Sequence, residues 1–231
     1  MTQRSLELFP LSDGRELRLS VAAPDSAVLG GIIVGPEARG VTDAVWQLAA
    51  GLASEGWLAV IPHLYHRDGV DALPAAECDE YGDVLLSHVE RLTAESVHAD
   101  TDGAIHWLMR CDIPADRIGV MGFGLGGAVA LIVATQRDLG AAVTVGGIGV
   151  VQRVATSLPA LVDIAPELRC PWLGIYGRGG SVPEEEVDKL RDAAHSARVA
   201  TELVYGSFDT DQPVAPEAWA RTLNWFAGHL R

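Results

Sequence analysis

Apolar and polar positions alternate through Ser5-Leu6-Glu7-Leu8-Phe9 and again through Glu16-Leu17-Arg18-Leu19-Ser20, with Asp13-Gly14 between the two runs. A period of two broken by a turn dipeptide predicts an antiparallel hairpin. The pattern then changes. Gly31-Ile32-Ile33-Val34, Trp57 to Pro62, Arg117 to Met121, Ala141 to Val145 and Trp172 to Tyr176 are short, nearly continuous apolar runs, as expected of strands buried on both faces. Thr201 to Tyr205 reads as the last strand.

Between these runs the spacing becomes helical. Val45, Leu48, Ala49 and Leu52 share one face of a helix predicted over Thr42 to Glu55, stopped by Gly56. Asp83 to Arg110 reads as helix, broken in two near His98 to Asp102. Gly126 to Thr135 follows, then Pro183 to Ala197, which opens on proline and Glu184-Glu185-Glu186, good first-turn chemistry. Ala215 to Leu230 is the last helix, and residues 67–81 form an excursion without strong periodicity. Strands alternating with helices predict an α/β fold: a mostly parallel central sheet, helices on both faces and an N-terminal antiparallel hairpin. No repeat or linker divides the chain, so residues 1–231 are expected to form one domain.

Composition narrows the partners. The chain has 231 residues, 48% hydrophobic and 21% charged, an ordinary globular balance. Its 17 basic and 31 acidic residues give a net charge of −14, which excludes nucleic acid and an anionic membrane surface as natural partners. A small-molecule ligand remains, and monomer and homodimer are equally compatible with the pattern. Cys78, Cys111 and Cys170 are an odd set without C-x-x-C pairing, which predicts neither a disulfide framework nor a zinc cluster. No signal-like core opens the chain and no apolar run approaches 18 residues, so the expected location is cytoplasmic. No cofactor is expected.

The strongest motif is Gly119-Val120-Met121-Gly122-Phe123-Gly124-Leu125-Gly126-Gly127. A strand, a glycine-framed turn and a small-residue helix make a nucleophile elbow, written G-x-S-x-G or G-x-C-x-G in α/β-hydrolases. Here the central residue is Gly124, which has nothing to attack with.

Several landmarks together resemble the dienelactone hydrolase family of α/β-hydrolases. Arg117-Ile118-Gly119-Val120-Met121-Gly122-Phe123 and Leu125-Gly126-Gly127-Ala128 are similar to that family's elbow, where a cysteine stands between the aromatic residue and the leucine. Pro36-Glu37-Ala38-Arg39-Gly40 sits where the family carries a strand-end glutamate, at a similar distance from Glu55-Gly56-Trp57. Pro62-His63-Leu64-Tyr65-His66-Arg67 is similar to P-D-L-Y-x-R, with His63 in place of the aspartate. Ala218 to Phe226 resembles the closing helix.

The resemblance implies a Cys/Asp/His triad, and each of its three positions is unmatched. Gly124 replaces the nucleophile. Gly177-Arg178-Gly179-Gly180-Ser181-Val182-Pro183 stands at the acid turn, one residue short and without a carboxylate. Tyr205-Gly206-Ser207-Phe208 stands at the histidine loop, shortened and without histidine. Three coordinated absences fit a natural loss of triad chemistry, after which glycine relieves the strain of the elbow's positive φ.

The ligand pocket implied by these positions comprises Glu37, His63, Tyr65, Arg67, Gly124, Leu125 and Ser207. Glu37 is expected to face the crevice at the carboxyl edge of the sheet. The helix starting at Leu125 is expected to keep free N–H groups and a positive dipole end for a carboxylate, phosphate or carbonyl oxygen. Tyr65 alternatively packs under the excursion, and Arg67 either neutralises a bound carboxylate or sits in solvent. Ser207, Asp209 and Asp211 occupy the loop where the histidine is missing, though any turn contains such residues. His63, His66 and Glu37 are a set zinc accepts, but loop histidines are commoner than metal sites, so no metal is expected.

The remaining cysteines and histidines read as structural. The leading function is therefore a dienelactone hydrolase-like protein without triad chemistry that binds a small anionic or carbonyl-bearing ligand. The alternative is an active ester or lactone hydrolase that activates water through Glu37, His63 and His66. A third possibility is a structural subunit whose crevice is filled by side chains.

Overall fold

A computed structural model of the chain describes residues 3–74, 82–207 and 215–230. Its frame is one eight-stranded sheet in the order β1-β2-β4-β3-β5-β6-β7-β8. The strands are β1 (Gln3–Pro10), β2 (Glu16–Ala23), β3 (Gly30–Gly35), β4 (Trp57–Pro62), β5 (Ile118–Phe123), β6 (Ala141–Val145), β7 (Trp172–Gly177) and β8 (Thr201–Gly206). β1 pairs antiparallel with β2, and β2 antiparallel with β4; all later pairings are parallel. The hairpin and the run of buried parallel strands are those the periodicity predicts.

Two layers cover the sheet. α1 (Asp43–Ser54) and α7 (Pro216–His229) bury Val45, Leu48, Leu52, Ala218 and Phe226 on one face, with Ile32, Val34, Ile61 and Met121. α3 (Ala94–Arg110) and α4 (Leu125–Ala134) cover the other with α6 (Glu184–Ala194), joined there by the shorter α2 (Asp83–Glu90) and α5 (Leu161–Ile164). Every residue of α4 is buried, which explains a helix of small and aliphatic residues without a polar face.

The long helical stretch is interrupted elsewhere than its sequence suggests. The break falls at residues 91–93, while His98 to Asp102 lie inside the continuous α3. Thr93 is extended, its hydroxyl accepts from the Ser96 N–H at 3.1 Å, and Ser96 Oγ accepts from the Thr93 N–H at 3.0 Å. That reciprocal cap starts a new helix. Asp100 and Thr101 do not break α3 because each polar group is satisfied where it is buried. Thr101 Oγ1 donates back to the Val97 carbonyl at 2.8 Å, and Asp100 takes the charged partners described below.

Chain order reverses between β3 and β5: β4 lies on the far side of β3, β6 on the far side of β5. Such a switch point opens a crevice outside the carboxyl ends of the strands. Pro36–Gly40, the segment after Pro62, Gly124 and the turn after Gly177 all leave the sheet at this edge.

Candidate functional site

Gly124 carries the elbow's backbone intact. Its φ of 51° and ψ of −114° turn the chain sharply from β5 into α4. The turn is held by hydrogen bonds from its N–H to the Val145 carbonyl at 3.1 Å, and to its carbonyl from Ala128 at 3.1 Å and Ile148 at 3.2 Å. A Cβ placed on Gly124 would meet nothing within 4 Å. The neighbouring glycines have the opposite surroundings: a Cβ on Gly126 would overlap the Gly35 carbonyl oxygen and stand 2.9 Å from that of Pro36. Close approach of α4 to β3 thus requires Gly126, whereas space does not require Gly124. The N-cap carries no side chain, so no side-chain oxygen caps the first N–H groups of α4.

Glu37 begins the segment after β3, but its carboxylate is engaged locally. Oε1 accepts from the Thr42 hydroxyl and from the Arg39 guanidinium at 3.3 Å. Tyr65 is buried, and its hydroxyl donates to the Ala38 carbonyl at 2.8 Å, so it packs beneath the segments it joins. Arg67 does not sit in solvent. It donates to both oxygens of Asp100, at 2.6 and 2.8 Å, and Asp100 is completely buried. The hydrogen bond to Asp100 outweighs burial and raises the guanidinium above its already high value. His66 Nε2 lies 3.1 Å from the same carboxylate.

His63 is held differently. In the β2–β4 ladder Leu19 faces Pro62 and Ser20 faces Ile61, and the next pairing brings the His63 N–H to the Arg18 carbonyl at 3.0 Å. Arg18 and Ser20, two apart on one strand, project on the same side, so His63 is the diagonal neighbour of Ser20. Its Nε2 lies 2.8 Å from Ser20 Oγ and its Nδ1 2.7 Å from Asp71 Oδ1. Arg18 completes the chain, 2.9 Å from Asp71. Asp71 is positioned by the backbone: its carbonyl accepts from Val41 and the adjacent Ala72 bridges Gly40.

His63, at 4% exposure, has its imidazole pulled below the ordinary range. Burial is the main cause; nearby Arg18 and His66 add to it, and Asp71 opposes it. A third pair, His88 Nδ1 to Asp68 at 2.8 Å, also engages Arg91 at 2.9 Å. Burial pushes the Asp68 carboxyl up, but the bonds from His88 and Arg91 outweigh it and hold it below the usual range.

Glu37, His63 and His66 therefore have separate partners and do not converge. Among the described residues no group of three or more His, Cys, Asp or Glu side chains is arranged to hold a metal ion. At the acid turn, Gly179 has φ 78° and Gly180 N–H returns to the Gly177 carbonyl at 3.2 Å, a tight turn with no carboxylate. Ser207 is exposed just beyond β8; Asp209 and Asp211 lie outside the described residues, as does Cys78. Cys111 caps the end of α3 and is exposed, while Cys170 is buried before β7, its thiol pushed up to about 12 by burial. Both precede their strands, at the edge opposite the elbow. Among the described residues no helix is long and apolar enough to cross a membrane.

Sequence reasoning missed Ser20, Asp71, Asp68 and Asp100. Ser20 and His63 are 43 residues apart and meet only through the register of an antiparallel pair, which leaves no local motif. The expectation that Asp100 lies near a helix break concealed its burial.

The sheet order, the switch point and the strand–glycine–helix turn at Gly124 define an α/β-hydrolase. The model of the dienelactone hydrolase family matches residues 17–230, and the chain belongs to that family. A Salmonella typhi protein named "Putative carboxymethylenebutenolidase" is 32% identical over 94% of this chain and 84% of its own length. A carboxymethylenebutenolidase of Rhodococcus opacus is 26% identical over 90% and 85%. A solved structure from Klebsiella pneumoniae, described as "Putative Dienelactone Hydrolase", superposes with a TM-score of 0.84 at 30% identity, covering 98% of this chain and 99% of that one.

Proposed function

We propose that this chain is a dienelactone hydrolase-family protein whose elbow binds a small ligand bearing a carbonyl or carboxylate oxygen and performs no triad chemistry there. One observation carries the reading. Gly124 retains the φ/ψ of the elbow and leaves open the space a nucleophile would take, while offering no attacking atom. α4 starts at Leu125, directly after Gly124, and the free N–H groups and positive dipole end of a helix start favour an oxyanion or a polarised carbonyl. The tight turn Arg178–Gly180 supplies no acid to orient a base. Glu37, Tyr65 and Arg67, which the resemblance assigns to the pocket, are bound to protein partners, which supports fixed groups more than a set of mobile catalytic ones.

Binding is tested by following backbone amide resonances while acetate, and separately dienelactone, is titrated. The reading expects saturable shifts centred on Leu125 and Gly126 that vanish in Gly124→Met, which fills the space. Shifts absent from these two amides with both probes would refute it.

A further inference from the structure

Away from the elbow, Ser20, His63 and Asp71 form a chain of three side chains whose protons are assigned by their chemistry. A carboxylate only accepts, so Asp71 requires the proton on His63 Nδ1. Burial keeps the ring neutral at pH 7, so Nε2 carries a lone pair. Ser20 Oγ, 2.8 Å away, must then be the donor. That is the protonation state and order in which a hydroxyl, an imidazole base and an orienting carboxylate act as a nucleophilic relay. Arg18 fixes the carboxylate from its far side at 2.9 Å.

The relay borders a cavity of about 380 Å³ whose lining includes Arg4, Leu6, Ser20, Trp46, His63 and Asp71. Leu6 stands directly across the β1–β2 ladder from Ser20, and Trp46 closes the other side from the start of α1. The Arg4 guanidinium lies 4.9 Å over the Trp46 ring and is the cation among these lining residues. A buried histidine satisfied by two hydrogen bonds need not border space. Here Ser20 and His63, 3% and 4% exposed, both line the cavity.

We propose that Ser20 is an acyl-accepting nucleophile activated by His63, in a second site that takes small esters of carboxylic acids. Ser20 Oγ attacks the ester carbon and passes its proton to His63 Nε2 as the new C–O bond forms. Collapse of the tetrahedral adduct breaks the bond to the alcohol, which leaves with the proton from His63. Water then attacks the acyl-serine, His63 takes its proton, and Ser20 Oγ departs with that proton as the acid is released. Arg4 provides positive charge for the oxyanion, and Asp71 and Arg18 act as positioning residues. The proposal does not depend on how the elbow is used, since Gly124 contributes no atom to it.

The test treats the full chain with p-nitrophenyl acetate, and separately with a fluorophosphonate probe, and maps the adduct by peptide mass spectrometry. The expected result is one adduct per chain on Ser20, absent in Ser20→Ala, and formed about 100-fold more slowly in His63→Gln. The labelling rate should rise with pH as His63 loses its proton, with a midpoint below the ordinary 6.5, because Arg18 and His66 reinforce burial against the pull of Asp71. Adducts on any other residue, no adduct with either reagent, or equal labelling of His63→Gln would overturn the proposal. Should Ser20→Ala fail to fold, the site of the adduct in the unaltered chain decides the matter by itself.

Discussion

The guanidinium of Arg67 grips both carboxylate oxygens of Asp100, which has no exposed surface at all. The residue that the resemblance places in the ligand pocket is thereby committed to a buried partner on α3. Removing Arg67 leaves the buried Asp100 with His66 but without its guanidinium, and removing Asp100 leaves the part-buried guanidinium without its carboxylate. Arg67→Ala and Asp100→Ala are each expected to lower stability by about 3–5 kcal/mol, read as a shift in denaturant midpoint. A change below about 1 kcal/mol would mean that the pair opens in solution and that Arg67 is free for a ligand.

The two elbow glycines should respond differently to the same substitution. Gly124→Ala meets open space and carries only the strain of its positive φ, about 1–2 kcal/mol. In Gly126→Ala the new Cβ runs into the backbone of β3, so α4 must move; overpacking of this kind costs about 3 kcal/mol or more. Thermal unfolding of both variants checks the order. Equal losses would show that close contact between α4 and β3 does not set this part of the fold.

Stability should fall as pH drops below about 6.5. His63 and His98 have pKa values lowered chiefly by burial, so the unfolded chain binds protons at a pH where the folded chain does not. Stability therefore rises with pH through the window between the folded values and 6.5, and is lost as pH falls through them. Asp68, held below 3.8, acts only in a more acid range. Urea midpoints at several pH values between about 5 and 7 measure the slope, and His63→Gln should flatten it. An unchanged slope would mean that His63 protonates in the folded chain without cost.

Much of this architecture is legible in the order of residues. Continuous apolar runs identify β3 to β7, because strands buried on both faces admit few polar side chains. The elbow is legible as well, since close packing of α4 on β3 demands glycines at fixed spacing. The helix break was not, because Asp100 and Thr101 look like interruptions until their partners are known; Thr93 and Ser96 mark the true start of α3. At the candidate site, sequence identifies Gly124 and a turn after Gly177 without a carboxylate, which are local features. It does not show that Tyr65 and Arg67 are tied down, or that His63 meets Ser20 and Asp71. Those contacts depend on strand register and on the bridging of residues 37–42 with 70–73, and neither is encoded in neighbouring positions.

Under the proposed function, the elbow keeps its backbone shape at Gly124 and performs no triad chemistry. Dienelactone turnover by the unaltered chain is compared with that of Gly124→Cys, whose Cβ meets nothing within 4 Å. Because the turn Arg178–Gly180 provides no acid and the loop beginning at Ser207 has no histidine in sequence, the cysteine should add no appreciable rate. A large gain from that single substitution would contradict the account and reveal a base and acid already poised at the elbow.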